Sequence, residues 1–413
     1  VAGSQACLLL TMAALGMHVM YAREGVRGYM VRGLVAFAVG GFVLVMLQYL
    51  VPGKFVGRGV MALALVLGWL GVIGLRWAAL HVVRADLIKR RVLVLGVGRR
   101  AKQLDARMRR RAERRTFQVV GYLPMPGDAE EVDRGQWIET EAALLDLVED
   151  LDIDEIITAP DEQRGALPLE PLMQCRLRGV AITDMPEFFE NESGRVNLSL
   201  VRPSWVVYAE GFDAGSIRAA TKRSFDLLMA SLLLLLASPL MLLTTLAIML
   251  ESGPRAPIFY RQVRVGRAGE PFHVLKFRSM RTDAEGDGKA RWATSNDDRV
   301  TRVGRVIRKL RVDEIPQVWN VFEGSMSFVG PRPERPEFVR DLAAQIPYYS
   351  LREAVKPGIT GWAQIRYAYG ASVDDAREKL SYDLYYVKNH SLIFDLLILL
   401  QTVEVVIFGK GAR

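Results

Sequence analysis

Long apolar runs dominate the first third of the chain. Residues 6–21, 31–51 and 59–83 are apolar almost throughout. A helix needs ~20 such residues to cross a ~30 Å hydrocarbon core; the second and third runs reach that length and the first is marginal. Arg23, Arg27 and Arg32 follow the first run, Lys54 and Arg58 the second, and Arg84, Lys89, Arg90 and Arg91 the third. Basic loops favour the cytoplasm, so the first and third loops are expected there and the chain begins outside. A cytoplasmic N-terminus would need one more span upstream of Val1. The competing reading, a buried helical core in a soluble protein, is disfavoured by run length.

The pattern then changes. "RRVLVLGVGRRAKQLDARM" reads as a buried strand, a glycine turn and a helix. Gly96, Gly98 and Ala101 fit G-x-G-x-x-G/A, in which a backbone approaches phosphates at a helix N-terminus. "DIDEIITAP" and "RGVAITDMP" supply further short strands. Strands alternating with helices predict a Rossmann-like parallel α/β domain over residues 86–210. Gly96 and Gly98 are candidate nucleotide-binding residues, and Arg99 and Arg100 could hold a phosphate. No clear acidic ribose partner stands about 20 residues on. A purely structural or regulatory module fits the same pattern.

A fourth apolar run, 225–250, is long enough to span. Pro239 lies near its middle, after Ser238, and proline removes a backbone donor and clashes with the preceding turn. Lys222 and Arg223 precede the run, and Arg255, Arg261, Arg264 and Arg267 follow it. Both ends therefore favour the cytoplasm. A re-entrant helix–break–helix with Ser238 and Pro239 at the break satisfies both ends, and the Ser238 hydroxyl can serve a freed backbone group. The alternative is a kinked through-span.

Beyond this run the polar positions are mostly basic. "FYRQVRVGRAGEPFHVLKFRSM" alternates around Gly266 and Gly269 like a hairpin. Val303, Val306, Ile307 and Leu310 recur at helical spacing, with Arg302, Arg305 and Lys309 on other faces. That pattern suits a helix on a membrane surface, or a soluble helix with a charged face. Near the C-terminus, "HSLIFDLLILLQTVEVVIFGKG" suggests another interfacial helix, because Asp395, Gln401 and Glu404 disfavour a full crossing.

Composition sharpens this picture. The 413 residues are 50% hydrophobic with a net charge of +8, which suits a membrane protein with a basic cytoplasmic surface. Such apolar runs argue against a nucleic-acid binder. The two cysteines, Cys7 and Cys175, and the four histidines show no zinc spacing.

Two neighbouring acids, Asp313 and Glu314, end the basic ridge. Arginines and lysines collect phosphates through charge-assisted hydrogen bonds. A carboxylate beside bound phosphate repels it unless a cation mediates or the carboxylate reacts. One acid can be a nucleophile forming an acyl-phosphate, and the other can hold Mg²⁺. An Asp-Glu pair alone is usually just solvated; its basic, membrane-apposed setting suits phosphoryl transfer to a lipid.

"KRSFDLL", "SPLMLL", "FYRQVRVGRAGEPFHVLKFRSM", "DEIPQVWNVFEGSMSFVGPRPE" and "KPGITGWAQI" occur in order from about Thr221 to the C-terminus. Together they closely resemble the bacterial sugar transferases of the monotopic phosphoglycosyl transferase family. The spans and Rossmann-like domain resemble the front of the large polyprenyl-phosphate sugar-1-phosphate transferases of exopolysaccharide synthesis.

The resemblance implies three parts: a transmembrane helical region over residues 1–85, lacking its first span; a Rossmann-like (CoA-binding-like) domain over 86–210; and a catalytic sugar transferase domain over 217–413. It implies transfer of a sugar-1-phosphate from a UDP-sugar to undecaprenyl phosphate, with Mg²⁺, at the cytoplasmic face of the bacterial inner membrane. Asp313 matches the nucleophile, Glu314 its partner and metal ligand, and Arg332 a phosphate clamp. Lys276, Arg278, Gln262 and Arg264 are further substrate-binding candidates. A homodimer is also expected. Two rival classes remain: a membrane-tethered nucleotide-sugar dehydratase or epimerase, and a non-enzymatic regulator of polysaccharide export. The first needs a Tyr-x-x-x-Lys, and no tyrosine here has lysine four residues on. An intact Asp313–Glu314 pair weighs against the second.

Overall fold

A computed structural model describes residues 57–82, 89–107, 116–140, 142–161, 167–201, 215–281, 299–367, 370 and 372–408, with isolated residues between 33 and 45. The first expected span lies outside the described residues, as does most of the second. The residues of the third form helix α1, Arg58–Val82, whose apolar stretch, Gly59–Leu75, is shorter than a membrane span. Contacts divide the chain into two units, Val1–Asn197 and Leu198–Arg413.

The first unit holds a four-stranded parallel sheet of β1 (Arg90–Leu95), β2 (Phe117–Leu123), β3 (Glu155–Thr158) and β4 (Ala181–Asp184), in the order β2-β1-β3-β4. Val92, Leu93, Val94 and Leu95 are fully buried, as the unbroken apolar run of β1 requires when both faces are covered. Helices α2 (Arg99–Arg107), α3 (Leu144–Asp150), α4 (Leu169–Leu177) and α5 (Met185–Ser193) accompany the sheet. Leu93, Leu95, Leu147, Ile156 and Cys175 share one core cluster. The strand β2 was not singled out by pattern; Gln118 and Gly121 interrupt its apolar run.

The glycine turn is closed by the protein itself. Gly96 has φ 127°, and a Cβ there would lie 2.5 Å from the Ala159 carbonyl oxygen. A Cβ on Gly98 would lie 2.2 Å from a carboxylate oxygen of Asp161. That carboxylate accepts from the backbone N–H groups of Arg99 and Arg100, each at 3.0 Å. Asp128 accepts from the N–H groups of Val97 and Asp161, both at 2.9 Å. The donors at the head of α2 that a dinucleotide phosphate would use thus face internal carboxylates. Burial works against charge on Asp161, but the N–H groups of Arg100, Arg99 and Ala129 hold its carboxyl below the ordinary value.

The second unit is organised on α6, Ser216–Ser252, the one described helix long and apolar enough to cross a membrane. At 37 residues it is roughly 55 Å long. The expected break is corrected: helical structure continues through Pro239. Proline has no N–H for the carbonyl of Leu235, four residues back. The Ser238 hydroxyl donates to that carbonyl at 3.0 Å, so the pair satisfies the backbone without ending the helix.

One face of α6 buries Asp226, Ala230, Ala237, Thr244 and Ile248. Leu228, Leu235, Leu236, Leu242, Leu243 and Leu250 are exposed. The same unit grips both ends. Near the start, the Arg223 guanidinium donates to the carbonyls of Val321 and Phe322. Near the end, the Glu251 carboxylate accepts from the N–H groups of Arg302 (2.7 Å) and Val303 (3.2 Å). It thereby caps α7, Arg302–Lys309.

The expected hairpin is present as β5 (Phe259–Val265) antiparallel to β6 (Pro271–Phe277). Its turn needs Gly269, whose φ is 79°. The apolar residues expected on one face of α7 divide: Ile307 and Val303 pack with Ile248, Phe277 and Val312, while Val306 and Leu310 are exposed. Short strands β7 (Ser327–Val329) and β8 (Gly358–Thr360) pair in parallel. Helices α8 (Val318–Glu323), α9 (Pro336–Gln345), α10 (Trp362–Arg366), α11 (Val373–Asn389) and α12 (Leu392–Phe408) complete the unit. Asp395 on α12 is fully buried, paired with Lys222 at 2.8 Å and accepting from the Tyr386 hydroxyl at 2.7 Å.

Candidate active site

The two acids sit where α7 ends. Arg311 takes a left-handed conformation, φ 58°, and reverses the chain into a 3-10 turn, Val312–Gln317. Val312 and Pro316 are buried and fix the turn. With about three residues per turn, neighbouring side chains on it diverge by about 120°. Asp313 and Glu314 therefore address different surroundings.

Glu314 faces the hairpin. Its Oε1 accepts from Lys276 Nζ at 2.9 Å and from Arg332 Nη2 at 2.7 Å. Burial opposes its charge, but Arg332 and Lys276 overcome that cost and hold the carboxyl well below the usual range. Burial also pulls Lys276 below its ordinary value, with Glu314 acting against it. Lys276 lies on the core-facing side of β6, and Arg332 on the segment after β7. The ion pairs therefore tie hairpin, acid turn and the Pro331-Arg332-Pro333 segment into one cluster.

Asp313 is different. Its Oδ1 is buried and makes no hydrogen bond. Burial first, then the neighbouring Glu314, pushes its carboxyl above the ordinary value; Lys276, Arg311 and Arg308 act the other way. It is a desolvated acid beside a neutralised one. A weakly solvated carboxylate is a better nucleophile than a hydrated one, and among the described residues none hydrogen-bonds this oxygen.

The other sequence-derived residues divide between contact and support. Gln262 accepts from Arg264 at 2.7 Å, and Arg264 donates to the Pro333 carbonyl at 3.0 Å and pairs with Glu334 at 3.6 Å. These two hold the Arg332 segment. Arg278 is buried, and its backbone N–H bonds the Ile258 carbonyl at 2.9 Å. Among the described residues no hydrogen bond or ion pair joins Arg278 to either acid, and its Nε is buried without a hydrogen-bond partner. Ser238 and Pro239 lie within α6, and Gly96 and Gly98 in the other unit.

Three residues were not singled out from sequence. Arg352 donates to the Arg332 carbonyl at 2.9 Å and pairs with buried Asp383 at 2.8 Å. Gln364 accepts from Arg332 Nη1 at 3.4 Å. Arg352 and Asp383 carry no local signal; only the fold brings them together. Gln364 lies inside "KPGITGWAQI", where the motif itself was the signal.

The arrangement suits anion chemistry at an oxygen nucleophile. Lys276 and Arg332 compensate the charge of one carboxylate, Arg264 backs the Arg332 segment, and the second carboxylate keeps a buried oxygen without a hydrogen bond. Residues 217–409 match the family described as bacterial sugar transferase. The chain is 42% identical over 242 residues to a UDP-N-acetylgalactosamine-undecaprenyl-phosphate N-acetylgalactosaminephosphotransferase of Aeromonas hydrophila, covering 59% of this chain and 56% of that one. It is 34% identical to an undecaprenyl-phosphate glucose phosphotransferase of Komagataeibacter xylinus, covering 79% and 60%. It is 44% identical to a UDP-glucose:undecaprenyl-phosphate glucose-1-phosphate transferase of Caulobacter vibrioides, covering 44% of this chain and 68% of that one. The chain spans 56% and 60% of the length of the first two relatives. Motif order, site and relatives agree: this chain belongs to the bacterial sugar transferase family.

Proposed function

We propose that this chain transfers a sugar-1-phosphate from a UDP-sugar to undecaprenyl phosphate, releasing UMP, as the first step of exopolysaccharide synthesis. The observation that carries the reading is the asymmetry of the acid pair: Glu314 is held by Lys276 and Arg332, while Asp313 Oδ1 is buried without a partner. The names of the relatives support the substrate classes. Those names include both glucose and N-acetylgalactosamine, so the sugar stays open.

In the proposed reaction an oxygen of Asp313 attacks the phosphorus bearing the sugar. The bond from that phosphorus to the bridging oxygen breaks, and UMP leaves with that oxygen. An oxygen of undecaprenyl phosphate then attacks the same phosphorus and displaces the Asp313 carboxylate. Arg332 holds phosphate oxygens as their charge grows, and Arg264 and Gln262 keep its segment in place. Lys276 lowers the cost of a polyanion beside Glu314.

Mg²⁺ fits this donor set. Among the described residues no three His, Cys, Asp or Glu converge, but Mg²⁺ is commonly held by one or two carboxylates plus substrate phosphates. Glu314 would hold it, with the free Asp313 oxygen beside it. When bound it would neutralise diphosphate charge.

The membrane arrangement is part of the proposal. The same unit contacts α6 near both ends, and exposed leucines lie between. That supports both ends lying on the cytoplasmic side, with α6 bent or sunk into the inner membrane. Assembly as a homodimer is proposed on the family resemblance alone; a monomeric mass in native-like lipid would refute it. The function is tested by incubating the purified chain with radiolabelled UDP-sugar and no lipid. Label on the protein and released UMP are expected. If rapid quench shows no label, and both substrates must bind before any product leaves, the covalent route is wrong.

A further inference from the structure

We infer that Gln364 is a substrate-contacting residue, donating its amide N–H to a phosphate oxygen of the UDP-sugar beside Arg332. This rests on the transferase reading and adds a residue to it. Gln364 stands on α10, a rigid element. Trp362 and Ala363 on the same turn are buried with Val329, Tyr382, Tyr386 and Ile398. Trp362 packs edge-on against Phe394, with ring centroids 5.0 Å apart. The approach of α10 to the clamp is also built in. A Cβ on Gly361, the residue before α10, would lie 2.1 Å from the Gly330 carbonyl oxygen. Glycine at 361 thus lets α10 lie against the segment that leads into Arg332.

The orientation of the amide follows from donor chemistry. Guanidinium has only donors, so the Gln364 oxygen must face Arg332, as the 3.4 Å contact has it. A flipped amide would set donors against donors. The Nε2 group is therefore turned away from the guanidinium. It is buried and has no hydrogen-bond partner. A buried amide without an acceptor is rarely tolerated unless something else supplies one. Within this unit the same condition holds for Arg278 Nε, Arg352 Nε, Glu353 Oε1 and also Asp313 Oδ1, the last in the acid turn that Arg332 reaches through Glu314. Asp313 Oδ1 is a free acceptor suited to attack and Gln364 Nε2 a free donor. A phosphoryl group held by Arg332 offers the oxygen that the donor lacks. Arg332 and Gln364 would then grip neighbouring oxygens of one phosphate, the amide adding direction without adding charge.

The test uses the full chain in lipid nanodiscs, comparing wild type with Gln364→Met and Gln364→Glu. Methionine removes the donor at similar size. Glutamate keeps an acceptor for Arg332 and removes the donor. Both should weaken UDP binding and lower kcat/KM by about 10–100-fold, to a similar degree for every UDP-sugar that wild type uses. The unliganded Gln364→Met protein should melt no lower than wild type, because an unpaired buried donor has been removed. UDP affinity and kcat/KM within about twofold of wild type would overturn the inference, being far below the cost of losing such a donor. So would a loss confined to one sugar, which would put the contact on the sugar ring. A lower melting temperature without ligand would make Gln364 structural. Wild type that binds UDP but turns over no UDP-sugar would sink the transferase reading, and UDP affinity alone would then judge the Gln364 contact.

Discussion

The glycine turn of the first unit and the acid turn of the second present the same ingredients in opposite states. At the glycine turn, backbone donors meet carboxylates: the N–H groups of Val97, Arg99 and Arg100 are engaged by Asp128 or Asp161. At the acid turn, cations meet one carboxylate, and Asp313 Oδ1 is left without a hydrogen bond, as is Nε2 of Gln364, whose Oε1 accepts from Arg332. A motif offers the donors for a site. Whether a site results depends on what the rest of the chain does with them. Asp161, more than 60 residues from Gly96, turns a phosphate fingerprint into a closed structural joint. That weighs against the dehydratase or epimerase reading, which needs an open nucleotide site.

The largest test of the contrast is Asp313→Asn. It keeps the size and removes the nucleophile, so UMP release and label on the protein should fall by at least about 10³-fold. Radiolabelled donor and rapid quench measure both. Residual label at the wild-type level would place the nucleophile elsewhere and end the contrast as drawn.

Arg332→Ala should follow, with roughly 10²–10³-fold lower kcat, the usual cost of removing a donor aimed at developing charge. Arg264→Ala should fall short of it, since Arg264 holds the Pro333 carbonyl and is read as a support. Steady-state kinetics with a fixed UDP-sugar decides this. An Arg264 effect larger than that of Arg332 would reverse their roles.

Topology comes next in size. Cysteines placed at Ser224 and Ser252 should both escape a membrane-impermeant thiol reagent added outside intact cells. Labelling at only one of them would mean that α6 crosses. The Arg223 and Glu251 contacts, at opposite ends of α6 and within one unit, are what a crossing would have to break.

Much of this was legible in the sequence, for reasons that differ by region. The acid pair, Arg332 and Lys276 came from ordered motifs. The hairpin came from alternation and two glycines, and β1 from an unbroken apolar run. What stayed hidden depends on distant pairing. Asp161 and Arg352 are ordinary residues locally and acquire roles only when the fold brings the Gly98 turn or the Arg332 carbonyl to them. The break at Pro239 was over-read. Proline forecasts a lost hydrogen bond correctly, but a serine before it replaced the bond and the helix continued. Arg278 came from the same motif as Lys276; it makes no bond to either acid, and its Nε is buried without a hydrogen-bond partner.

The smallest effect, and the sharpest form of the comparison, is a difference of sign in stability. Asp161→Asn keeps an acceptor oxygen but loses the charge that three backbone N–H groups hold. Its carboxyl lies below the ordinary value in the folded protein. The stabilisation is therefore fully present above about pH 4, the unfolded value, and is lost as pH falls through the lower folded value. Asp161→Asn should melt below wild type at pH 7, and the gap should close on acidification below about pH 4. It should create no affinity for NAD, because the side chain still fills the hole. Asp313→Asn should do the reverse at pH 7 in EDTA: it removes a buried charge that has no partner on Oδ1, so the inactive protein should melt at or above wild type. Differential scanning fluorimetry of both variants in one lipid preparation makes the measurement. Two shifts of the same sign would mean that the closed turn and the open site do not differ in the way their hydrogen bonds indicate.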